Sequence, residues 1–144
     1  MGKGIEGKRN VAIMTLEEAI ELNNKFQRKR HSDNEHRIQC ACIKWFRYQY
    51  PDEVIFAIPN GGSRNRIEAS KLKAEGVLAG VPDVLISAAR KGYHALYVEI
   101  KNGKIGKLSE RQKEMIKKLQ SKDYKAVVCR SVEEFVKEVE EYFN

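Results

Sequence analysis

Apolar residues recur along this chain with two periods, and each change of period marks an element. Leu16, Ile20 and Phe26 fall roughly on one side of a helix predicted over 16–28. Ile38, Cys42, Trp45 and Phe46 repeat at helical spacing, with Glu35 and Gln49 on the same stripe, and Pro51 ends this second helix. Trp45 and Phe46 on such a stripe read as core residues rather than a base-stacking platform. Residues 54–58 (VIFAI) predict a short strand, followed by the turn Pro59-Asn60-Gly61-Gly62. Residues 64–75 predict a helix that Gly76 is placed to end. The stretch 80–101 reads as two apolar strands joined near Arg90-Lys91-Gly92. A helix starting near Ser109 is expected to bury Leu108, Met115, Ile116 and Leu119, and residues 126–130 predict a fourth strand. Ser131, with Glu134 three residues on, caps a last helix whose apolar stripe is Val132, Phe135, Val136, Val139 and Phe143. This alternation predicts an α/β fold, a mixed central sheet flanked by helices.

Composition narrows the class. The 144 residues make one domain's worth, and 42% hydrophobic with 33% charged residues describes a folded chain with a modest core. No apolar run approaches the roughly 20 residues that span a bilayer, and MGKGIEGKRN lacks the apolar segment of a secretory signal. The expected location is inside the cell. Cys40, Cys42 and Cys129 are odd in number and form no C-x-x-C pair, which argues for small buried residues rather than disulfides or a zinc site. His31, His36 and His94 lack metal-ligand spacing.

Charge adds a partner. The net charge is +7, yet residues 131–144 hold five Glu against one Lys, so the other 130 residues carry +11. A polyanion fits this distribution, kept away from the C-terminal helix. Arg64, Arg66, Lys71 and Lys73 follow the Pro-Asn-Gly turn and read equally as phosphate contacts or as a solvated face.

The strand over 96–101 carries the chemistry. Alternation puts Leu96, Val98 and Ile100 on one face and Tyr97, Glu99 and Lys101 on the other. Asp83 opens the preceding strand, so a hairpin brings it near Glu99 and Lys101. Two carboxylates at that distance repel, and a hard divalent cation such as Mg²⁺ removes the conflict. Its remaining positions suit a phosphate oxygen and a water, with the lysine orienting or deprotonating that water. The plainer reading is a surface ion pair beside a turn aspartate. Ser32-x-x-Glu35 and Ser109-x-x-Gln112 likewise have capping-box spacing, which alone would account for the Glu and the Gln.

Pro82-Asp83 and Glu99-Ile100-Lys101 resemble the two signature pieces of the PD-(D/E)XK nuclease superfamily. Pro59-Asn60-Gly61, Glu75-Gly76, Gly80-Val81-Pro82-Asp83, Val98 to Lys101 and Leu108-Ser109-Glu110-Arg111-Gln112 follow in order. Together they resemble the virus-type replication-repair nuclease (VRR-NUC) branch, over about residues 33–130. The resemblance implies a restriction-endonuclease-like αβββαβ core, with 1–30 as an N-terminal extension and 31–144 as the nuclease domain. It implies Asp83, Glu99, Ile100 and Glu35 as the metal set, for Mg²⁺ or Mn²⁺, with Lys101 as catalytic lysine and Gln112 as the motif glutamine. It further implies a DNA substrate. Stand-alone domains of this branch resemble homodimeric Holliday-junction resolvases, because two symmetric cuts need two sites related by a two-fold axis. A nickase, flap or restriction-like nuclease on the same core is the alternative, or a non-catalytic DNA-binding protein. The intact Asp83, Glu99 and Lys101 argue against the last.

Overall fold

A four-stranded sheet in the order β1-β2-β3-β4 organises the chain. The structure, a computed structural model, describes residues 14–27, 34–60 and 65–144. The expectations placed on residues 1–13, His31, Ser32, Gly61 and Arg64 fall outside the described residues. The elements are α1 (Leu16–Gln27), α2 (Asn34–Gln49), β1 (Ile55–Ala57), α3 (Arg66–Ala74), β2 (Val84–Ile86), β3 (Leu96–Ile100), α4 (Glu110–Gln120), β4 (Lys125–Cys129) and α5 (Val132–Phe143). β2 pairs antiparallel with both β1 and β3, and β4 joins β3 in parallel. The sheet is thus mixed and flanked by helices, as the period changes predict.

Strand alternation divides the sheet into two unlike faces. Val84, Ile86, Leu96, Val98, Ile100 and Cys129 point into one core with Ile38, Cys42, Trp45 and Phe46 of α2 and Val132, Phe135, Val136 and Val139 of α5. Trp45 meets Phe135 edge-on at 6.1 Å between ring centroids. α1 packs outside this layer on α2 and α5, burying Ala19. The opposite face carries Tyr97 and Glu99, and α4 covers it along β4.

Three expectations about burial change. Tyr142, not Phe143, completes the buried stripe of α5. Its hydroxyl donates to the Ala88 carbonyl at 2.6 Å, which satisfies the polar end inside the core. Phe143 sits at the edge, stacked on Tyr50 at 4.5 Å. Helix α4 buries no residue fully: Leu108, Met115, Ile116 and Leu119 are only half-covered. The face it lies on presents Tyr97 and Glu99 instead of aliphatic side chains, so its stripe has less to close on. Cys42 and Cys129 are buried as expected, but Cys40 is exposed, on the outer side of α2 beside His36.

Candidate active site

Glu99 and Lys101 are the buried charged residues of the described chain, 1% and 8% exposed. Both follow from the register. Val84 pairs with Val98 across the antiparallel β2–β3 ladder, so Asp83, one residue earlier, falls beside the end of β3. There its Oδ2 accepts the Ile100 N–H at 2.7 Å. The Lys101 ammonium lies 3.3 Å from Glu99 Oε1. Gln112, from the first turn of α4, donates its Nε2–H to the same Oε1 at 2.8 Å. The other oxygen, Glu99 Oε2, is buried without a hydrogen-bond partner.

Gln112 does two things at once. Its Oε1 accepts the Ser109 N–H at 2.9 Å, and the Ser109 hydroxyl accepts the Gln112 N–H at 3.2 Å, a complete capping box. Its amide nitrogen is left over for Glu99. The cap therefore fixes the rotamer that reaches the site.

Electrostatics match the geometry. Burial, and then the Asp83 charge, push the Glu99 carboxyl up to about 7, with Lys101 opposing. Burial also raises Asp83, against the Ile100 N–H and Lys101 and with the negative charge of Glu35. Two carboxyls that resist ionising together, one with an orphaned buried oxygen, fit a divalent cation: it supplies the charge and the missing partner. Asp83 and Glu99 would hold it. Ile100 has a side chain sunk in the core, so only its backbone carbonyl could contribute.

Glu35 is at the margin. It starts α2 and is exposed, and its Oε1 accepts the Asn102 N–H at 3.1 Å. It is near enough to Asp83 to raise that acid's pKa. Among the described residues, no three His, Cys, Asp or Glu side chains converge on one metal position. His36 and His94 lie exposed, His36 beside Cys40 and His94 against the Tyr124 ring.

A profile of the VRR-NUC domain matches residues 20–133, taking in part of α1 and every site residue named above. The chain belongs to the VRR-NUC family. A solved structure named "VRR_NUC domain protein" is 31% identical, covering 75% of this chain and 86% of its own, with a TM-score of 0.65. A search of functionally curated proteins gives no match. VRR-NUC is a nuclease domain, and the cluster at the end of β3 is where this one has its buried charges.

Several residues that support the VRR-NUC site do not stand out in the sequence as chemistry. Asn60 donates to the Val81 carbonyl at 2.7 Å and acts to lower the Asp83 pKa, while its Oδ1 is buried and unpaired. It ties the β1 loop to the loop that delivers Asp83. Gly80 (φ +90°) lies against the first turn of α4: a Cβ there would meet the Arg111 carbonyl oxygen at 2.9 Å. Gly80-Val81-Pro82-Asp83 therefore sets the distance between Asp83 and the helix carrying Gln112. Asn102 links Glu35 to the end of β3 and also receives the Asn34 amide.

Proposed function

We propose that the protein is a metal-dependent, structure-selective DNA endonuclease acting on branched DNA, with the four-way junction as its preferred substrate. One observation carries the reading: Glu99 is held by Gln112 and Lys101 through Oε1, while Oε2 stays buried and unpaired in a carboxyl whose pKa the Asp83 charge raises. Asp83, Glu99 and the Ile100 carbonyl, with Glu35 at the rim, form the oxygen set for Mg²⁺ or Mn²⁺. Such an ion, when bound, polarises a phosphoryl oxygen and lowers the pKa of a water. Lys101 holds the attacking water by a hydrogen bond and offsets negative charge growing on the phosphate. Gln112 keeps the Glu99 carboxylate turned so that one oxygen remains free. The active species is a homodimer, which supplies two sites for the two symmetric cuts a junction requires. The acting location is wherever the cell holds its DNA.

Labelled four-way junction, flap, linear duplex and single strand, each incubated with purified protein in Mg²⁺ and in EDTA, test this. Cleavage is expected only with Mg²⁺, fastest on the junction. Asp83→Asn and Glu99→Gln are expected to abolish it while the protein stays folded, since each removes a charge and hardly changes size. Cutting in EDTA, or full activity in either variant, would refute the metal site. Equal rates on junction, flap and duplex favour the nickase, flap or restriction-like alternative.

A further inference from the structure

The loop that follows Lys101 is built to project an apolar side chain. Residues 102–107 read Asn-Gly-Lys-Ile-Gly-Lys, and Ile105 is 80% exposed. Nothing acidic stands between Lys101 and Ser109. The loop is held firmly at its base. Arg130 donates through Nη1 to the carbonyls of Gly103 and Gly106, at 2.7 and 2.5 Å, on either side of Ile105. The Ile105 and Gly106 N–H groups both bond the Asn102 carbonyl, at 3.1 and 2.9 Å. Asn102 is tied in turn to Glu35 and Asn34. The clamp fixes the backbone on both sides of the exposed Ile105, and its neighbours Lys104 and Lys107 are exposed cations.

The loop also touches the site. A Cβ on Gly106 would lie 3.0 Å from Lys101 Cβ and 2.8 Å from the Asn102 nitrogen, so Gly106 rests directly on the side chain of Lys101. An apolar tip flanked by lysines and fixed against the catalytic lysine suits a particular neighbour: a DNA strand with its phosphates on the lysines and a base step at the tip. Isoleucine is among the side chains that proteins insert between base steps.

We propose that Ile105 is a wedge that enters an opened base step next to the cut phosphate, with Lys104 and Lys107 holding the strand on either side. This rests on the nuclease reading of the site and specifies how branched DNA is selected: a branch point offers a step that is already weakly stacked.

2-Aminopurine placed beside the cut position of a four-way junction reports the unstacking when protein binds in EDTA, where no cutting is needed. Wild-type protein is expected to raise the fluorescence, Ile105→Ser to lose most of the rise, and Ile105→Phe to keep it. In Mg²⁺, Ile105→Ser is expected to cut the intact junction about tenfold more slowly, but to regain most of the rate when the step carries a mismatch. Ile105 is exposed, so its melting temperature should not move. An Ile105→Ser protein with the wild-type fluorescence rise overturns the wedge. So does an equal loss of rate on intact and mismatched junctions, or a changed oligomeric state, which would make the loop a protein contact. Wild-type protein that unstacks the step but cuts no DNA in Mg²⁺ defeats the nuclease reading and leaves the wedge standing.

Discussion

At Glu99, burial and the Asp83 charge act in the same direction, both favouring the protonated acid. An ordinary glutamic acid titrates near 4.5, and here the folded protein holds its proton up to about 7. The proton is thus bound more tightly in the folded state. The stability this gives is fully present below pH 4.5 and is lost as pH rises through about 7. Metal-free protein should therefore melt at a lower temperature at pH 8 than at pH 5.5. Glu99→Gln, which cannot ionise, should remove most of that slope. At the proposed metal site Mg²⁺ would bind the ionised form, so it should raise the wild-type melting temperature more at pH 8 than at pH 5.5, and leave Glu99→Gln unmoved. Scanning calorimetry of the two proteins in EDTA and in Mg²⁺ decides it; equal slopes in both would show that Glu99 does not carry the effect. The sequence already places Glu99 and Lys101 together, because alternation along a strand needs only the strand. It does not show Asn60 or Asn102 as site residues. Asn60 is explained by its turn, and Asn102 acts on Glu35, which lies 67 positions away, through a contact that only the folded chain creates.

At the level of elements, the site depends on how α4 docks. Its capping box is legible as Ser109-x-x-Gln112, but spacing does not say where the spare amide nitrogen points. That depends on Gly80, which lets the Asp83 loop approach the Arg111 carbonyl. Gly80→Ala puts a methyl group into backbone at 2.9 Å and forces a positive φ on a residue that resists it. The helix must shift, and Gln112 moves from Glu99. Activity should fall about tenfold or more, with a stability loss of about 1–3 kcal/mol. Gln112→Glu separates the two roles of the helix start. It keeps an oxygen for the Ser109 N–H, so the cap survives, but it sets a third carboxyl against Glu99. Turnover should drop while the melting temperature holds to within the effect of a weakened cap, about 1 kcal/mol. Steady-state rates and thermal melts of both variants check this, and unchanged turnover in Gln112→Glu would make the glutamine a cap alone. The half-burial of α4 and the exchange of Phe143 for Tyr142 were not legible for a related reason. A stripe shows which side of a helix is apolar, but not how much apolar surface waits opposite it.

On the scale of the whole molecule, the two faces of the sheet separate the charges. α5, with its five glutamates, packs on the α2 side, whereas Gln112 and Glu99 belong to the side covered by α4. The acidic helix is thus turned away from the proposed DNA path, and the excess of +11 on the other 130 residues is what a phosphate backbone would meet. Neutralising Glu133 and Glu140, both exposed on α5, should therefore change junction affinity by less than about twofold. Replacing Lys104 and Lys107 by Gln should weaken binding to every DNA and flatten its salt dependence by about two in log–log slope, since each lost phosphate contact releases one counterion fewer. The wild-type protein should scatter light as a dimer at micromolar concentration and bind the junction more tightly than linear duplex of equal length. Fluorescence anisotropy across a salt series, run with light scattering on the same samples, measures all of this. A salt slope unmoved by Lys104→Gln and Lys107→Gln would take the DNA off this face of the sheet. A monomer with no preference for the junction would remove the resolvase reading, and would leave the proposed metal site at the end of β3 to be judged by its own variants.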